Sequence, residues 1–178
     1  LMAEVVDNTT SRGRTIRFLY EGPNHELYEK LDKIGEMPLP PYIEREPEES
    51  DKEKYQTIFA KERGAVAAPT AAMHFTPELV EKIEKKGVEF LPVTLHIGWG
   101  TFRPVEVEDL TKHRMDSENY LITPETSEKI NKALKNKKSR VIACGTSATR
   151  VIETSVMASG MSKPNTGWTD KFIYPPYD

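Results

Sequence analysis

A single cysteine, Cys144, is all that the sequence offers for covalent cross-linking, so an internal disulfide framework is excluded and a reducing compartment is expected. No apolar run of about eighteen residues is present to span a membrane. The opening Leu1-Met2-Ala3-Glu4 has no basic segment followed by an apolar block, so no secretory signal is expected. Internal repeats and low-complexity segments are also lacking. The net charge of −3 gives no overall basic footprint for nucleic acid, although 25 lysines and arginines leave room for one basic face. What is there is 178 residues, 37% hydrophobic and 30% charged, enough to bury a core as one domain with at most a second, smaller one.

Residues 2–6 and 15–20 read as two strands separated by the polar, turn-rich stretch 7–13, which predicts a hairpin. An isolated hairpin is marginal, so this one is expected to belong to a larger sheet. Leu27, Leu31 and Ile34 recur at helical spacing before Gly35, after which Pro38, Pro40 and Pro41 forbid a helix. Ser50 with Glu53 predicts a capped helix reaching almost to Gly64. From Ala65 onward, short apolar runs alternate with capped helices, which predicts an α/β fold with a mainly parallel sheet. Its expected strands are 65–68, 93–97 and 141–144; its helices open at Thr76-Pro77, at Thr123-Pro124 and at Ser147, the last running to Ser159.

Several segments have the composition of a site. Residues 67–75 run from a strand end to a helix cap, where open α/β sheets bind ligands, and place Thr70, His74 and Phe75 there. By local pattern alone, a turn at Pro69-Thr70 and backbone contacts of His74 near the following cap are the favoured account of them. In residues 95–104, Gly98 and Gly100 flank Trp99 and are followed by Thr101 and Phe102, which resembles a binding loop more than a plain turn. Alternation puts His96 on the opposite face from Leu95 and Ile97. The third glycine and helix opening of a dinucleotide fingerprint are missing.

In residues 141–150 a strand passes through Gly145 into a helix start, with Thr146, Ser147 and Arg150 suited to a carboxylate or phosphate. Ordinary capping, with Arg150 exposed or paired to Glu153, would use the same residues. His113 and Glu118 are candidates for acid-base or orienting work, or else solvated loop residues. The histidines lack compact metal-ligand spacing, so no metal is expected. Cys144 reads as a buried structural thiol rather than a nucleophile.

Taken in order, these motifs resemble the S-adenosylmethionine:tRNA ribosyltransferase-isomerase family of queuosine biosynthesis. The series is Tyr55-Gln56-Thr57, Ala68-Pro69-Thr70-Ala71 with His74-Phe75-Thr76, Leu95-His96-Ile97-Gly98 with Gly100-Thr101-Phe102, and His113 with Glu118. It continues with Gly145-Thr146, Arg150, Glu153, Gly167, Thr169 and Phe172-Ile173-Tyr174-Pro175. Asp116 stands where the family usually has a histidine, so no role is carried onto it.

The resemblance implies transfer of the ribosyl part of S-adenosylmethionine, a co-substrate, to the 7-aminomethyl-7-deazaguanine base of tRNA, giving epoxyqueuosine with release of adenine and methionine. It implies a soluble, cytoplasmic enzyme without a metal or membrane, working as a monomer. His74 or His96 would act as base, with Glu118 as a second proton-transfer or sulfonium-facing group. Gly145, Thr146 and Arg150 would hold a carboxylate or phosphate, and Trp99 or Phe102 would stack a base. Another α/β transferase for a nucleotide-like substrate and a non-catalytic RNA-binding module are the competing readings.

Family members are longer, which assigns residues 1–21 to a remnant of a small β-barrel domain and residues 22–178 to an incomplete α/β catalytic domain. A barrel hairpin without its neighbours leaves open strand edges, so the isolated chain is expected to be poorly stable or inactive. Reversible, cooperative unfolding of the isolated chain together with turnover would refute this.

Overall fold

The computed structural model describes residues 1–8 and 14–177. The chain forms two compact units, Leu1–Glu49 and Ser50–Asp178.

In the first unit, β1 (Met2–Asn8) and β2 (Arg14–Leu19) form the expected antiparallel hairpin, with Val5 opposite Ile16 and an irregularity between Val5 and Asp7. Residues 9–13, in the expected turn, lie outside the described residues. Val5 and Ile16 are exposed although they face each other across the ladder. Helix α1 (Asn24–Ile34) buries Leu27 and ends where the Gly35 N–H donates to the Leu31 carbonyl. The unit thus continues past residue 21, the boundary drawn from the sequence.

In the second unit, α2 (Asp51–Lys54) is a single turn and does not approach Gly64. The chain leaves the helix at Tyr55, which is buried; the Ser50 side chain caps nothing, and the Gln56 side chain accepts the Thr57 N–H at 3.1 Å. The two threonine-proline starts form as expected. In α3 (Pro77–Glu84) the Thr76 hydroxyl accepts the Leu79 N–H, and in α4 (Pro124–Lys135) the Thr123 hydroxyl accepts the Thr126 N–H. Such caps each contribute about 1 kcal/mol, and proline at the first helical position lacks only an N–H that would have had no partner.

The sheet of this unit corrects the parallel expectation. Strands β3 (Thr94–Leu95), β4 (Glu118–Ile122) and β5 (Asn165–Thr169) pair in that order, and both pairings are antiparallel: Leu95 faces Tyr120, and Tyr120 faces Gly167. The fold is therefore a mixed α/β arrangement with two small antiparallel sheets, and among the described residues no barrel closes.

Two of the expected strands do not form. Residues 65–68 are irregular, linked to the chain at Ile97 through the Val66 N–H, and residues 141–144 are irregular and exposed. Short apolar runs cannot be told from other structure by periodicity alone. Without these strands, the crossovers that a parallel sheet requires have nothing to connect.

Helix α5 (Gly145–Ser155) starts two residues earlier and stops four earlier than expected. Val156 is already extended and bridges to Ser162, which ends the helix. The core joins Tyr120 and Ile122 of β4 to Ile130 of α4 and Val151 of α5, with Leu91, Val93, Leu95 and Ile152 packed around them. The Tyr120 hydroxyl accepts from the Asn165 side chain at 2.7 Å, so the one polar atom among these core side chains has its partner.

Ile122 is 1% exposed and Ile142 is 80% exposed. Ile122→Ala is expected to destabilise the protein by about 2–5 kcal/mol, and Ile142→Ala to stay within about 0.5 kcal/mol. Urea unfolding of both variants checks this; equal losses would contradict the placement of the core.

Candidate active site

Arg150 lies one and a half turns into α5, and Glu118 opens β4. Both are buried, and the Arg150 Nη1 forms an ion pair with Glu118 Oε2. The second carboxylate oxygen, Glu118 Oε1, accepts the Gly98 N–H at 2.8 Å. The rest of the guanidinium donates to main-chain carbonyls, from Nε to Lys171 at 3.1 Å and from Nη2 to Thr169 at 3.4 Å. Burying two charges is favourable only when such partners replace their water, and here every side of the pair is engaged. Arg150 is thus neither exposed nor paired to Glu153, whose carboxylate accepts instead from the Tyr177 hydroxyl at 3.2 Å.

The same strand ends strap the glycine-rich loop down. The His96 N–H donates to the Asn119 carbonyl at 2.8 Å, and the Asn119 side chain donates to the Gly167 carbonyl at 3.0 Å. Residues Trp99–Phe102 then form a short 3-10 turn. A Cβ on Gly100 would lie 2.2 Å from Asp116 Oδ2, so the Asp116 carboxylate packs directly on this backbone and would have to move for any larger residue. The indole of Trp99 is 53% exposed and meets Phe102 edge to face, at 5.4 Å between ring centres.

A cleft of about 190 Å³ opens above the ion pair. Leu95, Ile97 and Thr101 line it from the β3 side, Thr146, Ser147 and Arg150 from α5, and Lys171, Phe172 and Ile173 from the segment after β5. Thr146 and Ser147 belong to the first turn of α5, where the opening N–H groups have no partner within the helix. Lys171 is the remaining cation at the wall, and its ammonium group reaches the Tyr177 hydroxyl at 3.2 Å.

Of the residues singled out from the sequence, Gly98, Thr101, Glu118, Thr146 and Arg150 converge on this cleft or the pair beneath it. His113 stands at its edge, its ring 4.5 Å from that of Phe172. His96 sits between two cleft-lining residues of an extended segment and packs on Gly64, where a Cβ would lie 2.6 Å from His96 Nδ1. His74 stacks on Phe75 at 4.5 Å, and Phe75 joins Phe59 and Phe90 in an aromatic cluster.

Thr70 opens the 3-10 turn Thr70–Ala72, which packs against the start of α5: a Cβ on Gly145, whose φ is +87°, would come within 2.9 Å of the Ala71 side chain. Cys144 is exposed and its thiol donates to the Ala71 carbonyl at 3.4 Å. This corrects the expectation of a buried thiol, and the cause is that residues 141–144 form no strand. Lys171 and Met115 are cleft residues that the sequence reading did not select as site residues. Lys171 adjoins the Phe172-Ile173-Tyr174-Pro175 motif, the signal that pointed to it.

Removing one partner of a buried ion pair strands the other. Arg150→Met is therefore expected to cost about 3–5 kcal/mol of stability, and the double variant Glu118→Leu with Arg150→Met clearly less. Denaturant unfolding of the single and double variants decides this; a loss under about 1 kcal/mol for the single variant would remove the pair from its central place.

The whole chain, residues 1–178, matches the family described as Queuosine biosynthesis protein. The S-adenosylmethionine:tRNA ribosyltransferase-isomerase of Cytophaga hutchinsonii is 60% identical over 178 residues, which are 100% of this chain and 51% of that protein. The proteins of the same name from Flavobacterium psychrophilum and Chloroherpeton thalassium are 57% and 54% identical, again over 100% of this chain and 51% of theirs. The chain thus spans about half the length of the curated relatives it matches. With all of residues 1–178 matched and a relative 60% identical over that whole span, the chain belongs to the queuosine biosynthesis protein family.

Proposed function

We propose that the protein carrying this chain is a cytoplasmic, monomeric S-adenosylmethionine:tRNA ribosyltransferase-isomerase, and that the cleft over Glu118 and Arg150 is part of its active site. The observation that carries this reading is the convergence of family motifs, dispersed over more than fifty residues from Gly98 to Arg150, on that one cleft. The reaction would move the ribosyl moiety of S-adenosylmethionine to the 7-aminomethyl-7-deazaguanine base of tRNA, releasing adenine and methionine. The sulfonium of that co-substrate acidifies the neighbouring 5′ carbon, so the chain has to supply orientation, proton transfer and charge stabilisation.

A volume of about 190 Å³ is below the ~300–1,000 Å³ of pockets that enclose a whole drug-sized ligand. The cleft is accordingly assigned to the methionine end, with the first-turn amides and hydroxyls of Thr146 and Ser147 and the Lys171 ammonium facing its carboxylate. Glu118 and Arg150 already spend their polar atoms on each other and on the backbone. Their assigned role is to hold Gly98, Thr101 and the start of α5 in position. The exposed face of Trp99 suits a stacked base, a contact worth about 1–3 kcal/mol. The hairpin β1–β2 is assigned to a small β-barrel domain, a placement supported by its exposed Val5 and Ile16.

Proton transfer is assigned to a histidine. His74 and His96 are the candidates from the motifs, and His113 is the histidine whose ring touches a cleft-lining side chain. Incubation of the intact protein with S-adenosylmethionine and tRNA bearing the deazaguanine precursor is expected to release adenine. Replacing the base by alanine should slow that release by about 10²–10⁴-fold. Unchanged release in His74→Ala and His96→Ala with a loss in His113→Ala would move the role to His113; no release from the unsubstituted protein would end the proposal.

A further inference from the structure

We infer that the groove between α4 and the 157–163 turn docks the phosphate backbone of RNA, through Lys132, Lys135 and Lys163. The inference rests on the tRNA substrate proposed above and concerns a surface separate from the cleft. The groove has a volume of about 500 Å³; Lys132 and Lys135 line it from α4, and Lys163 lines it from the turn. All three side chains are exposed.

Its floor is held still. Buried Ser162 accepts at its carbonyl from the Ser127 hydroxyl at 2.9 Å and the Asn131 side chain at 2.8 Å, and its N–H donates to Asn131 Oδ1 at 2.8 Å. The Ser162 hydroxyl is also hydrogen-bonded to that of Ser155 at 2.9 Å.

The charge around this groove is one-sided. Between Lys129 and Ile152 the sequence has seven basic residues and no acidic one, in a chain whose net charge is −3. Two of the seven are spent. Lys129 bridges Glu125 and Glu89 at 2.8 and 2.6 Å, contacts that raise its pKa, and Arg150 is paired with Glu118. The other five, Lys132, Lys135, Lys137, Lys138 and Arg140, form no ion pair among the described residues, and neither does Lys163. Among the described residues, Glu128 is the one carboxylate that lines the groove.

Lysines in a last helical turn also complement the helix dipole. That accounts for Lys132 and Lys135, but not for the cations beyond the helix end or for Lys163 on the facing wall. Unpaired lysines on two sides of a concave, rigid groove match a ridge of phosphates, which they would neutralise as point charges with release of counterions. A flat bilayer would meet only the rims.

The test uses the intact protein and its Lys132→Gln/Lys135→Gln/Lys163→Gln variant. Precursor tRNA binding is measured across a salt series, with thermal unfolding and adenine release at saturating tRNA as companions. The variant is expected to bind tRNA at least about tenfold more weakly near 0.1 M salt. The slope of log affinity against log salt should fall by about 2, three contacts at ~0.7 each. Unfolding and saturated adenine release should not change.

If the triple variant unfolds early, the single variants, each expected to lower the slope by about 0.7, replace it. Wild-type affinity and slope in the variants would overturn the inference while leaving the enzyme reading intact. So would loss of binding to anionic lipid vesicles with tRNA binding unchanged. If the unsubstituted protein binds tRNA through these lysines but releases no adenine, the groove stands and the enzyme reading falls.

Discussion

Glu118 and Arg150 meet out of reach of water, and four separate stretches of chain are placed by that meeting. Glu118 starts β4 and takes the Gly98 N–H; Arg150 comes from α5 and reaches the main chain at Thr169 and Lys171. A buried charge that loses a partner costs several kcal/mol, so none of these stretches can drift independently. The apolar core beside the pair, Tyr120, Ile122, Ile130 and Val151, supplies non-directional burial and tolerates small shifts. The ion pair supplies direction. It fixes which way the loop after β3 runs and where the first turn of α5 opens, and the cleft is the space left between them.

The features legible in the sequence were those whose physics is local. Thr76-Pro77 and Thr123-Pro124 announced their helices because a capping hydroxyl finds its N–H three residues away. The hairpin followed from two alternating runs. The sheet was not legible in the same way. Residues 65–68 and 141–144 have the apolar character of buried strands, yet whether a run becomes a strand depends on what pairs with it. Residues 141–144 pair with no strand, and Val141 and Ile142 stay exposed. The direction of the sheet went astray for the same reason, since alternating runs and helices suggested crossovers that these two segments do not complete.

The site divides along a similar line. Motif order places Gly98, Thr101, Glu118, Thr146 and Arg150 in one series, and the fold brings them to one cleft. Alternation also set His96 apart from Leu95 and Ile97, but it could not say which face would hold the cleft. Those two neighbours line it, and His96 lies against Gly64 instead. The pairing of Glu118 with Arg150, 32 residues away in sequence, was beyond pattern reading, which saw only Glu153 within one helical turn of Arg150. Lys171 by itself is a lone lysine after a strand; its only sequence signal is the motif that follows it, two of whose residues line the cleft beside it.

Helix α5 is gripped at both ends. Its opening turn rests on Ala71 and borders the cleft, while Ser155 at its far end is hydrogen-bonded to Ser162 beneath the lysine groove. Its 11 residues span about 16 Å at about 1.5 Å per residue, with no hinge between the grips. The helix is in effect a ruler. A one-residue insertion would lengthen it by only about 1.5 Å but rotate one end against the other by about 100°, pulling Arg150 away from Glu118 or Ser155 away from Ser162. The separation of the two surfaces is set by a count of residues, and a count cannot be adjusted by degrees.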